Sequence, residues 1–220
     1  MRIIAGSAGR LRLEVPTGEL LRPTQDKVRA AIFSSLQPRL AGARVLDVFA
    51  GTGAMGLEAV SRGAEHCVFV EKHPRCVEAI RKNIAHCRLQ ERTVVAPADV
   101  FDFLRKAREK GECFDLVFAD PPYLKAESPQ EVDAFYSRLC TAVAGCLVEE
   151  GMAVVGFFVP RAPRVFGPLF VLREKHYGQT GLVFLAPARN GGGCRSMEEA
   201  GDDQESRKSR KKHEQCDART

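Results

Sequence analysis

No CxxC pair and no paired Cys/His spacing occurs in this chain of 220 residues. Its cysteines (Cys67, Cys76, Cys87, Cys113, Cys140, Cys146, Cys194 and Cys216) are instead scattered, mostly through apolar or helical stretches. That pattern favours buried free thiols in a reducing compartment over a disulfide framework or a zinc site, and no metal is expected. No apolar run approaches the roughly 20 residues that cross a bilayer; the longest reaches only from Met152 to Val159. Met1 to Arg12 lacks the apolar core segment of a secretory leader. These absences point to a cytoplasmic protein with no membrane partner.

Charge is scarce in net terms but unevenly placed. The total is +5. Residues 1–44 hold Arg2, Arg10, Arg12, Arg22, Lys27, Arg29, Arg39 and Arg44 against Glu14, Glu19 and Asp26, which is 8 − 3 = +5. From Arg189 onward the balance is 8 − 7 = +1, leaving −1 for the middle. A basic leading segment on a neutral body is the footprint of a docked polyanion, with a merely solvated face as the competing reading. Hydrophobic residues make up 45% of the chain, enough for a core, and the length fits one domain with an appendage.

The sequence is organised around Val45-Leu46-Asp47-Val48-Phe49-Ala50-Gly51-Thr52-Gly53-Ala54-Met55-Gly56. A buried strand gives way to a glycine turn and then to a helix-forming segment, the layout of a nucleotide-binding βα turn. Ahead of it, Arg2 to Ala5 and Leu11 to Val15 read as a hairpin around Gly6 to Gly9. Thr24 then caps a helix whose Val28, Ala31, Ile32 and Leu36 share one face, with Lys27 and Arg29 pointing elsewhere.

From Arg44 strand and helix alternate, which predicts a parallel sheet with helices on both sides. The strands expected after the first are Cys67–Glu71, Thr93–Ala96, Phe114–Ala119 and Met152–Val159. Intervening helices are expected over 55–62, from Pro74, over 99–110 and over 129–146. Two final strands, Phe170–His176 and Gly181–Leu185, pair antiparallel through Gly178-Gln179-Thr180. After Pro187 the chain is glycine-rich, then densely charged in both signs, and lacks apolar residues to pack. It reads as disordered. Its short basic cluster reads as a solubilising tail, with RNA contact as the other possibility.

Ligands of open α/β sheets sit at the carboxyl ends of strands. Marked residues fall there four times: Asp47 with its glycine turn, Glu71, Asp99, and Asp120-Pro121-Pro122-Tyr123. Glu71 follows Gly51 by 20 residues, the separation at which a carboxylate reaches a bound ribose; both a nicotinamide cofactor and S-adenosylmethionine would use it. The last strand end decides between them. Its double proline fixes φ twice and removes two backbone donors, leaving acceptors beside an aromatic ring. That arrangement suits an exocyclic amino group on a flat ring.

Asp120-Pro121-Pro122-Tyr123 resembles the catalytic motif of class I, S-adenosylmethionine-dependent amino-methyltransferases. Arg2-Ile3-Ile4-Ala5-Gly6 with Gly9-Arg10, Arg22-Pro23-Thr24 with Val28-Arg29 and Ile32-Phe33, Asp47 to Gly56, and Tyr177-Gly178-Gln179-Thr180 extend the likeness. Together they resemble the RsmD-type bacterial family, which methylates guanine N2 in 16S ribosomal RNA. The resemblance covers residues 1–187. It implies a Rossmann-like α/β fold with a seven-stranded, mostly parallel sheet and an antiparallel last strand. Before that sheet come the N-terminal hairpin and helix.

Three parts are expected: an RNA-contacting extension (1–43), the methyltransferase domain (44–187) and the tail (188–220). The resemblance also implies roles. Asp120, Pro121, Pro122 and Tyr123 would hold and stack the target base. Asp47, Gly51, Gly53, Glu71, Asp99 and Val100 would bind S-adenosylmethionine. Arg10, Arg12, Arg22, Lys27 and Arg29 would grip phosphates of ribosomal RNA or a 30S assembly particle, with the protein acting as a monomer. A DNA adenine-N6 methyltransferase and a non-catalytic RNA-binding or assembly protein are the alternatives on the same fold.

Overall fold

The computed structural model describes residues 1–16, 26–122 and 128–188. The readings made for Arg22, Thr24, Tyr123 and the tail from 189 onward lie outside them. In chain order the elements are α1 (Asp26–Leu36), β1 (Arg44–Val48), α2 (Ala54–Ser61), β2 (His66–Glu71), α3 (Pro74–Cys87), β3 (Thr93–Pro97), α4 (Val100–Glu109) and β4 (Phe114–Ala119). They are followed by α5 (Pro129–Ala144), β5 (Leu147–Phe158), β6 (Leu169–Tyr177) and β7 (Thr180–Pro187).

The seven strands form one sheet in the order β3-β2-β1-β4-β5-β7-β6. β1 pairs in parallel with β2 and β4, β2 with β3, and β4 with β5. β7 is antiparallel to both β5 and β6, so β7 alone runs against the rest, as the sequence predicts for the last strand. The order reverses between β1 and β4. In a doubly wound sheet that switch point opens a crevice at the strands' carboxyl ends.

Successive residues of the central strands feed two cores, one on each face. Val45, Leu116, Phe118, Val154 and Phe184 join the core built with α1, α2 and α3. Leu46, Val117, Val155 and Leu185 join the core built with α4 and α5. This is the period-2 alternation of strands covered by helices on both sides. Helix starts follow local chemistry. Asp99 caps α4 by accepting from Phe101 N–H at 2.9 Å, and Ser128 Oγ caps α5 by accepting from Glu131 N–H at 3.3 Å, with Pro129 in the first turn.

Two expectations shift. β5 begins at Leu147 rather than Met152, because Leu147 pairs with Phe114 ahead of a register shift that accommodates Glu149 and Glu150. The helix expected to reach Cys146 stops at Ala144, and Gly145 caps it.

The N-terminal hairpin forms through an Arg2–Arg12 bridge and hydrogen bonds Ile3 N–H to Leu11 O (2.9 Å) and Arg10 N–H to Ile3 O (2.8 Å). It lies across α2, and seven of that helix's eight residues are buried in consequence. Ile3, Ala8 and Leu13 therefore share a core with Phe33 and Leu57. Polar groups of α2 and α3 face the hairpin. Glu58, fully buried, accepts from Ile4 N–H at 2.6 Å and Ala5 N–H at 3.1 Å, while Arg62 Nε balances it at 2.6 Å. Ser61 Oγ accepts from Ala8 N–H and donates to Ala5 O, and Asn83 bonds both the N–H and the carbonyl of Glu14. The described residues of segment 1–43 thus share a core with the sheet.

Arg29 corrects the reading of α1. The buried face is Val28, Arg29, Ile32, Phe33 and Leu36, so the guanidinium is enclosed. It donates to Arg2 O and pairs with Asp26 Oδ1 at 3.0 Å. A fully buried side chain cannot reach a phosphate, and Arg29 leaves the set of RNA-gripping residues. It ties α1 to the hairpin instead.

Candidate active site

The glycine turn after β1 is built from left-handed backbone. Phe49 (φ 58°), Gly51 (φ 57°) and Gly53 (φ 76°) all have positive φ within five residues. Glycine adopts this freely; a phenylalanine there is strained, a condition that persists where surrounding structure holds it in place. Phe49 packs beside Phe135 of α5, their rings 6.5 Å apart. Gly56 is required by crowding rather than φ, since a Cβ there would overlap the Phe69 ring and meet Cys67 Sγ. The turn consequently lies flat against β2, and α2 starts at its end.

Asp47 explains how the turn holds its shape. Its side chain is 3% exposed, and Oδ2 accepts from Gly56 N–H at 2.8 Å, bridging the strand end to the first turn of α2. Burial pushes its carboxyl up to about 8, against the pull of the Gly56 hydrogen bond. The charges of Asp120 and Glu71 push in the same direction, which brings three of the predicted residues into one electrostatic neighbourhood.

Glu71 is half-buried at the end of β2. Its two oxygens accept from Gly51 N–H (3.0 Å) and His73 N–H (2.8 Å). The carboxylate is thereby fixed beside the glycine turn, and each oxygen keeps a further acceptor position. At the end of β3, Asp99 caps α4 and pairs with Lys72 Nζ at 3.6 Å, both side chains being exposed. Val100 differs from expectation: its side chain is 3% exposed within the core under α4 and α5, so it has only backbone to offer a ligand. Phe101 is the half-buried residue of that pair. Its ring stands edge-on to Phe135 at 6.0 Å, and the exposed Arg138 guanidinium lies over it at 3.9 Å.

At the end of β4, Asp120 is exposed, Pro121 buried and Pro122 exposed. Asp120 stands next to Gly156 of β5, and Tyr136 Oη donates to Gly156 O at 3.1 Å. Arg10, Arg12 and Lys27 are exposed, as phosphate contacts require. Phe101 is expected from the sequence to pack beside the adenine; Phe135, Arg138 and Tyr136 have no such sign of a site role. Gly156 carries only a local one, a glycine inside a strand. Among the described residues no group of three or more His, Cys, Asp or Glu is placed to hold a metal ion, and no helix is long and apolar enough to cross a membrane.

Comparison with known proteins identifies the family. The family model described as "Conserved hypothetical protein 95" matches residues 1–186. "Putative rRNA methyltransferase YlbH" of Bacillus subtilis (strain 168) is 32% identical over 183 residues, covering 83% of this chain and 97% of that protein. "Ribosomal RNA small subunit methyltransferase D" of Escherichia coli (strain K12) is 33% identical over 180 residues, 81% of this chain and 86% of the relative. The solved structure of "Putative methyltransferase yhhF from Escherichia coli" superposes with a TM-score of 0.71 at 31% identity, over 86% of this chain and 98% of that one. A model match across most of the chain and relatives above 30% identity over nearly their whole length lead to one conclusion: this chain belongs to the Conserved hypothetical protein 95 family, the RsmD family of class I methyltransferases.

Proposed function

We propose that this protein transfers a methyl group from S-adenosylmethionine to the exocyclic N2 of a guanine in small-subunit ribosomal RNA. Its substrate is 16S RNA or a 30S assembly particle, and it acts as a monomer. The observation that carries the chemistry is the end of β4: β4 pairs with β1, Ala119 opposite Val48, so Asp120 and its two prolines emerge beside the glycine turn. The small-subunit methyltransferases among its relatives support the choice of RNA.

The residues present fit this cofactor. Glu71, Asp99 and Asp120, at the ends of β2, β3 and β4, form an acidic rim around the buried Asp47 and its glycine turn. It suits a ligand bearing ammonium and sulfonium charges and ribose hydroxyls, and it repels a pyrophosphate. Gly51 and Gly53 let backbone approach the methionine end. Glu71, fixed by Gly51 and His73, takes the ribose hydroxyls. Asp99 and the backbone of Val100 border the adenine, with Phe101 beside them. When bound, S-adenosylmethionine supplies a methyl group already activated by its positive sulfur.

The protein's own contribution is then positioning. A guanine N2 lone pair is delocalised into the ring and attacks poorly. Asp120 and the Pro121 carbonyl accept its two hydrogens, draw it toward tetrahedral geometry and aim the lone pair at the methyl carbon. The N2–methyl bond forms as the methyl–sulfur bond breaks, and the proton lost from N2 passes to Asp120 or to solvent. Well-aligned reactants gain up to about 7–11 kcal/mol from such placement. Tyr123 stacks on the base, worth about 1–3 kcal/mol, against a cost of a few kcal/mol for unstacking it. Arg10, Arg12, Arg22 and Lys27 grip phosphates, which makes residues 1–43 the RNA-contacting extension of the methyltransferase domain.

Asp120→Ala tests the reading. It is expected to abolish methyl transfer to small-subunit RNA while leaving cofactor and RNA binding close to wild type. A variant that still methylates at the wild-type rate would contradict it.

A further inference from the structure

We infer that Gly156 is a positioning residue for the methyl-transfer step: the missing side chain on β5 is the space in which the Asp120 carboxylate is held. This rests on the reading of Asp120 as the acceptor for the target amino group. In the β4–β5 ladder Ala119 pairs with Val155, so the next residues, Asp120 and Gly156, lie side by side as β4 ends. A Cβ built on Gly156 would overlap Asp120 Oδ1 and stand 3.1 Å from its Cγ and 3.6 Å from its Cα. Its three nearest neighbours are all atoms of Asp120.

Nothing in the backbone asks for glycine at this position. Gly156 is absent from the positive-φ residues, and it is an ordinary paired member of β5, opposite Leu182 of β7. Glycine inside a strand weakens it, and its usual justification is the close approach of another group. Here that group is the Asp120 carboxylate. The strand is also held in place from outside: Tyr136 Oη, buried under α5, donates to the Gly156 carbonyl at 3.1 Å. β5 is paired on both sides as well, with β4 and with β7, so the displacement falls on the exposed Asp120 side chain.

Gly156→Ala, assayed in the full chain, separates this role from a structural one. The substitution leaves every chemical group of the site in place and shifts the carboxylate, and a misplacement near 1 Å costs about 100-fold in rate. The expected result is a kcat lowered by about 10- to 100-fold, with KM for small-subunit RNA and affinity for S-adenosylmethionine unchanged. Thermal unfolding supplies the second arm. Gly156→Ala lowers Tm in the wild-type background but not in Asp120→Ala, where the clashing carboxylate is gone. A wild-type kcat for Gly156→Ala overturns the inference, and so does an equal Tm loss in both backgrounds. An Asp120→Ala protein that methylates normally instead overturns the underlying reading of Asp120.

Discussion

Asp47 is the residue whose chemistry can be read from solution titration. Its carboxyl is raised from 3.8 to about 8 by burial, so between those values the folded protein holds a proton that the unfolded chain releases. The folded state binds more protons in that window, and stability falls as pH rises through it, levelling above about pH 8. Asp47→Asn keeps an oxygen acceptor for Gly56 N–H and removes the titration. We predict a higher Tm than wild type at pH 8 in the ligand-free protein, with the decline between pH 5 and 8 flattened. Parallel Tm profiles for the two proteins would contradict the assignment. Arg29 makes the complementary case. Because its guanidinium holds the hairpin through Arg2 O and Asp26, Arg29→Ala should cost stability, about 1.5–3 kcal/mol in denaturant unfolding, and leave the salt dependence of RNA binding unchanged. A reduced salt slope without destabilisation would return it to the RNA-contacting set. The sequence could not reveal this burial. A helix period locates Val28, Ile32 and Leu36, but the partner that encloses Arg29 lies 27 residues earlier in the chain.

At the scale of elements, most of what positions the site was legible because it is local. The bounds of β4 agree to the residue, and α3 begins at Pro74 as expected, since hydrophobic alternation and a first-turn proline are written into neighbouring residues. What escaped was the burial of α2 on both sides. A sequence reading cannot know that a hairpin covers its outer face, so Glu58 looks like a solvated helical acid with Arg62 four residues on. In the structure it is the clasp for Ile4 and Ala5 N–H. Glu58→Ala would leave those donors and Arg62 without their acceptor, and we expect a loss of about 3–5 kcal/mol measured by urea unfolding. A change below about 1 kcal/mol would mean that apolar packing alone seats the hairpin. β5 shows the same limit: the apolar run marks a strand only from Met152, but pairing of Leu147 with Phe114 extends it back across Glu149 and Glu150.

At the scale of the molecule, the leading segment is both part of the core and a carrier of exposed charge. Arg10 and Arg12 lie on the outer side of the hairpin while Ile3, Ala8 and Leu13 face inward. An Arg10→Ala/Arg12→Ala double variant should therefore stay folded and bind S-adenosylmethionine normally. Its RNA affinity should fall, and the slope of log affinity against log salt should shrink by about 1 per residue removed. An unchanged slope would place the RNA elsewhere. On the proposed reading, the acidic strand ends and the exposed arginines of the hairpin divide the labour: the glycine turn would hold the methyl donor, and Asp120 to Tyr123 would present the base. The most direct measurement is incubation of the full chain with methyl-labelled S-adenosylmethionine and, in parallel, small-subunit RNA, 30S particles and duplex DNA, followed by nucleoside mass spectrometry. The account predicts label in N2-methylguanine from the RNA or the particle. Label confined to N6-methyladenine in the DNA, or none in any nucleic acid, would contradict it.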